Sequence, residues 1–226
     1  MSEAFKTRQE EVYAKLRSDI LAGRLLPGSK LRFVELCERY GSSVGVVREA
    51  LSRLLEQDLV HSAPQQGFIV TPISRTRLIH LTSARVEIES LTLGHAVAEG
   101  DVDWEAELLA AHHRLASCPL VDPDDPQRLS EEWARLHAEF HRILLSGCGN
   151  PFLVEIASQL RDAAELYRRW SVPLGGHGST RDIVGEHRAI TNAALARDAE
   201  AATRALERHI ALTTELLLEA DFIEND

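Results

Sequence analysis

Beyond residue 74 the apolar residues recur at intervals of three and four with no strand-like alternation, so most of this chain can fold only as packed helices. The helical segments run roughly Arg75–Glu99, Asp103–Ala116, Leu129–Ser146, Phe152–Arg169, Asp182–Ala196 and Asp198–Ala220. Turn-forming residues separate them: Cys118-Pro119 through Asp125-Pro126, Gly147-Cys148-Gly149-Asn150-Pro151, and Pro173 through Gly178. The first 74 residues read differently. Val12, Leu16, Ile20 and Leu21 share a helix face, and Gly23 and Leu26-Pro27-Gly28 turn the chain. Val34, Leu36 and Tyr40 mark the apolar side of a short second helix that ends at Gly41. Ser42 or Ser43 can cap a third helix, whose apolar positions are Val47, Ala50, Leu51, Leu54 and Leu55. Leu59–Ser62 and Phe68–Thr71, joined by Ala63-Pro64-Gln65-Gln66-Gly67, read as a hairpin.

Three helices followed by a hairpin is the pattern of a winged helix-turn-helix. The predicted architecture is therefore mainly α: a winged helix-turn-helix over residues 1–74 and an all-α helical bundle over residues 75–226, with Pro72-Ile73-Ser74 as the linker. Charge divides at the same place. Residues 1–74 carry 10 Lys+Arg against 9 Asp+Glu, a balance of +1, whereas residues 75–226 carry 15 against 26, a balance of −11. All three lysines, Lys6, Lys15 and Lys30, lie in the first 30 residues, and none of the 10 histidines precedes His61. The net charge of −10 thus belongs to the helical half and does not exclude DNA as a partner of the first. No apolar run approaches the roughly 18 residues that span a bilayer, and the N-terminus lacks the build of a signal peptide, so no membrane partner and a cytoplasmic location are expected. Cys37, Cys118 and Cys148 include no CxxC pair, which argues against a disulfide framework or a thiolate zinc site.

Leu16-Arg17-Ser18-Asp19-Ile20-Leu21-Ala22-Gly23-Arg24-Leu25-Leu26-Pro27-Gly28-Ser29-Lys30-Leu31, then Glu35-Leu36, Val47-Arg48-Glu49-Ala50-Leu51, Leu59-Val60, Gly67 and Val70, resemble the DNA-binding domain of the GntR family of bacterial transcription regulators. The resemblance covers residues 10–72 and implies double-stranded operator DNA as partner. Ser43 and the first N–H groups of the third helix can face a phosphate, and Arg48, one turn on, suits a base edge or phosphate, or else a salt bridge with Glu49 or Glu35. The resemblance puts Gln66 and Gly67 at the wing tip, in the minor groove. Arg32, Lys30 or Arg53 are candidates for phosphate contacts. One departure stands out: where relatives carry Ser-Arg-Thr-Pro, this chain has Ser43-Val44-Gly45-Val46. The recognition arginine is replaced by Val44, which can read a thymine methyl.

In the second half His137 and His141 stand at i and i+4. Helical spacing sets His137 inside the stripe of Trp133, Leu136, Phe140 and Leu144, with His141 at its edge. It also sets His187 between Ile183, Ile190 and Ala194, and His209 beside Leu206, Thr213, Leu216 and Leu217. Four inward imidazoles from three helices are costly to bury singly, and a divalent metal is their economical partner. Glu139-Phe140-His141, Gly149-Asn150-Pro151, Glu186-His187-Arg188-Ala189-Ile190, Asp198-Ala199 and His209 resemble the FCD effector domain of the FadR branch of the family. That resemblance implies zinc or nickel held by one Asp and three His; the Asp position is His137 here, leaving an all-histidine set. Arg85 sits in the inward stripe of Leu81, Ile88 and Thr92, where it either pairs with Glu89 or another carboxylate, or grips an effector carboxylate. His95 is a weaker pocket-lining candidate, and the remaining histidines read as surface or helix-end residues. The expected function is a homodimeric, metabolite-responsive transcription regulator, a repressor rather than an activator, that answers to a small carboxylate; it is not an enzyme and has no catalytic residues. A metal sensor is the rival reading. A metallohydrolase is disfavoured because Glu139, its nearest base, points to the opposite side of the helix from His137 and His141.

Overall fold

The computed structural model describes residues 7–63, 67–174 and 181–219. The chain divides after Ser74 into two compact units. In the first, Thr7 opens α1 (Arg8–Leu21) with a capping box in which its side chain accepts from the Glu10 N–H and the Glu10 carboxylate accepts from its own. The helix buries Val12, Leu16, Ile20 and Leu21, the expected stripe. β1 (Lys30–Leu31) follows, then α2 (Phe33–Tyr40), which Gly41 ends in the left-handed conformation at φ 57°. α3 (Val44–Leu55) buries Val47, Ala50, Leu51 and Leu54 and packs on α1 and α2. β2 (Val60–Ala63) and β3 (Gly67–Val70) form the hairpin, and β1 adds to the far side of β3 to make a three-stranded antiparallel sheet.

Three sequence expectations for this unit change. Val34 is 70% exposed, because it lies two residues and about 200° from Leu36, on the far side of α2. Leu55, at the edge of the α3 stripe, is 38% exposed. Lys30–Leu31, where the pattern of three helices and a hairpin has no strand, is a strand whose two residues pair with Ile69 and Phe68.

The second unit is a bundle of α4 (Arg75–Glu99), α5 (Val102–Ala116), α6 (Glu131–Ser146), α7 (Pro151–Leu174), α8 (Ile183–Leu195) and α9 (Ala199–Leu218). Side chains of Asp101, Ser130, Asp182 and Asp198 accept hydrogen bonds from the first turns of α5, α6, α8 and α9. α4 packs along α9 and α7, and α5 lies between α6 and α8. Leu93, Leu108, Phe140, Leu144, Ile190 and Leu206 are wholly buried where these helices meet. The expectation that no strand occurs here is corrected: β4 (Val121–Asp122) and β5 (Asp125–Leu129) pair antiparallel, so α6 starts two residues later than expected. Their acidic, proline-rich sequence shows no alternation; an Arg128–Asp122 ion pair and the buried Leu129 hold them instead. Among the described residues no helix is long and apolar enough to cross a membrane.

Candidate functional site

His137 and His141, one turn apart on α6, meet His187 of α8 and His209 of α9 in the bundle interior. Each offers a ring nitrogen within 4.8 Å of the others, and their exposures are 7%, 2%, 2% and 6%. Burial, aided by nearby cations and the neighbouring imidazoles, holds His137, His141 and His187 well below the ordinary histidine pKa. Burial lowers His209 as well, against the pull of Glu186. All four are therefore neutral near pH 7 and present lone pairs. Both ring nitrogens of His141 and Nε2 of His187 are buried with no hydrogen-bond partner. Orphaned polar atoms are expensive in a core, and convergent neutral imidazoles are the donor set of a divalent transition metal. The residues fit an ion.

The support of His209 was not foreseen. Its Nδ1–H donates to Glu186 Oε2 at 2.7 Å, which leaves the Nε2 lone pair available to an ion. Arg181 binds the same carboxylate through two hydrogen bonds of 2.8 and 2.7 Å and also donates to the His209 carbonyl at 3.0 Å. Burial pushes the Glu186 carboxyl up, but the bonds from Arg181 and His209 outweigh it and hold the pKa at about 2. Glu186 is thus an anion that fixes the tautomer and orientation of His209. Trp133 stacks on His137, with 4.7 Å between ring centroids.

A cavity of about 350 Å3 between α4, α6 and α7 has His137 and His141 on its lining. Five arginines (Arg85, Arg135, Arg142, Arg161 and Arg168) line it against three carboxylates, Glu139, Asp162 and Glu165. Arg85 pairs with Glu89, donating its Nε–H to Oε1 at 2.7 Å, and its side chain also lines the cavity. Arg161 donates to the His141 carbonyl at 2.8 Å, and Arg168, paired with Glu165, keeps a buried Nη1 without a partner. These two arginines sit on α7, and nothing local in the sequence says that α7 faces the histidines. Glu139, two residues from each histidine on the helix, also borders the cavity, and Arg142 holds both of its oxygens. His95 lines none of these features and pairs instead with Glu99 at 2.8 Å.

In the first unit Ser43 is the N-cap of α3, and its hydroxyl makes no capping hydrogen bond. Val44 is 48% exposed, and Arg48 is exposed one turn along the same face. Arg48 forms no ion pair among the described residues; its guanidinium lies 5.1 Å from the Phe33 ring centroid. Arg32 pairs with Glu35 at 3.1 Å on the surface. Arg53 falls half a turn round from Val44 and lies 3.8 Å from the Tyr13 ring centroid, so the structure does not bring it to that face. Gly67 starts β3 at φ 78°, where a side chain would be strained, and Gln66 lies outside the described residues.

Two family models match the chain. Residues 8–70 match the bacterial regulatory proteins of the gntR family, and residues 80–212 match the FCD domain. The chain is 37% identical over 201 residues to the uncharacterized HTH-type transcriptional regulator BphR of Paraburkholderia xenovorans, covering 89% of this chain and 81% of that protein. It is 32% identical over 215 residues to the HTH-type transcriptional repressor GlaR of Escherichia coli, covering 92% and 94%. The solved structure of E. coli McbR/YncC has the same fold, with a TM-score of 0.59 at 22% identity over 95% of this chain and 99% of that one. The curated relatives are regulators of transcription, not enzymes.

Proposed function

Because the chain belongs to the GntR family of bacterial regulatory proteins and is a DNA-binding transcription regulator with an FCD domain, we propose that it is a metabolite-responsive repressor controlled by a small carboxylate at a divalent metal centre. The observation that carries this reading is the arginine-lined cavity that reaches His137 and His141. Four neutral nitrogen donors favour zinc or nickel over magnesium or manganese, which prefer oxygen. An ion held by His137, His141, His187 and His209 would supply a fixed positive charge for an anion. Around it the chain's own residues orient the effector. Glu89 takes the Nε–H of Arg85, which leaves the terminal amino groups of that arginine as its donors toward the cavity. Arg161 and Arg168 add positive charge from α7. Metal alone as the signal would leave this cavity without a ligand, which favours the metabolite reading over a metal sensor.

The regulator acts as a cytoplasmic homodimer, presenting two winged helices to a pseudo-palindromic operator. Ser43, Val44 and Arg48 face the major groove, Gln66 and Gly67 the minor groove, and Lys30 and Arg32 the phosphates. Effector binding shifts the operator affinity to the extent that the effector prefers one state of the dimer. Titrating small organic and sugar acids into an operator-binding assay tests the whole reading. Operator release is expected with an acid on metal-loaded protein, and a response to metal with no acid present would overturn it. Val44→Ala is expected to lose several-fold of the preference for T·A at one operator position. Equal affinity ratios across operator variants would remove Val44 from base readout.

A further inference from the structure

The four histidines are almost wholly buried, so an ion must reach them along some path; of the cavities that touch the cluster, one of about 20 Å3 at His137 and His209 is no wider than a water, and the two larger ones meet it at different histidines. The arginine-lined cavity meets His137 and His141. A second cavity of about 160 Å3, between α5, α6 and α8, ends on His187. The two differ in charge and in donors. The first carries an excess of arginines, which attracts an organic anion and repels a divalent cation. In the second the one arginine among the described lining residues, Arg181, is already neutralised by Glu186, and Asp182 stands beside it. That second cavity also holds two metal-binding side chains that the four-histidine centre does not use. Cys118 contributes its thiol, and Nε2 of His112 is buried with no partner. Burial, with Arg188 and His113 nearby, keeps His112 below the ordinary histidine value, so its lone pair is available.

We propose that the divalent ion reaches the four histidines through this second cavity, past His112 and Cys118 to His187, while the arginine-lined cavity admits the anionic effector. The two ligands then need not compete for one opening, and an effector seated in its own cavity leaves the route of the ion free. This inference rests on the metal centre proposed above, and its test separates the two. Chelator-treated full-length protein is mixed rapidly with Co2+, and uptake is followed by the absorption of the ion in its nitrogen ligands. Val184, 48% exposed on the lining of the second cavity, can be enlarged without entering the core. Val184→Trp is expected to slow uptake about tenfold, and His112→Ala about threefold. Because release through the same path slows equally, the equilibrium affinity for Co2+ should stay unchanged. Ala138→Trp, on the exposed rim of the arginine-lined cavity, should load at the wild-type rate. Wild-type rates in both Val184→Trp and His112→Ala, or slowing by Ala138→Trp alone, would overturn the route. No Co2+ bound by the wild type at equilibrium would overturn the metal centre itself, before any rate is compared.

Discussion

Loading chelator-treated protein with zinc or nickel is expected to raise its thermal midpoint by about 10 °C. Free ion at about a thousand times its dissociation constant adds roughly 4 kcal/mol to the native state, and a chain of this size gains about 2–4 °C per kcal/mol. The apo protein has something to recover, since His141 buries two ring nitrogens and His187 one without partners. His141→Ala separates the ion from the packing. It removes one ligand and both orphaned nitrogens, so the apo form should keep most of its stability while the gain on adding metal disappears. Calorimetry with and without the ion reads both. An undiminished metal-induced shift in His141→Ala would mean that the ion binds elsewhere.

The second large effect concerns Arg85. Glu89 is fully buried, with one oxygen held by Arg85 and the other lacking any partner. Arg85→Met would strand that carboxylate, and breaking a buried pair from one side costs about 3–5 kcal/mol. Loss of operator release in this variant alone would therefore prove little. The double variant Arg85→Met, Glu89→Met replaces both charges with apolar volume and should regain most of the lost stability in urea unfolding. It should still fail to release operator when acid is added. If the double variant responds to acid like the wild type, Arg85 only packs the core and does not hold the effector.

Much of this was legible in the chain because helices carry their burial in their spacing. Val12, Leu16, Ile20 and Leu21 are all buried as the period requires, and the same test brings four distant histidines together. Spacing also errs in a predictable way. Val34 satisfied the eye but not the helical angle, and it is exposed. What stayed hidden depends on neighbours from elsewhere in the sequence. β1 exists because β3 offers it an edge, and no two-residue segment has a period to read. Arg161, Arg168, Arg181 and His112 look like ordinary surface residues until the packing of α5, α7 and α8 turns them toward the histidines. Glu186 sat beside a candidate ligand, His187, yet supports a different one, His209, which only the packing of α8 on α9 reveals.

The stacking of Trp133 on His137, with the Arg168 guanidinium 5.6 Å from the indole, gives this protein an optical property of its own. An indole in van der Waals contact with a metal ligand loses its excited state to an open-shell ion and keeps it beside a closed-shell one. The emission of Trp133 should therefore fall with nickel or cobalt and persist with zinc. Trp104 and Trp170, on α5 and α7, supply a background that Trp133→Phe isolates. An ion seated in the proposed four-histidine centre would thus be identified from within the chain, with no added dye.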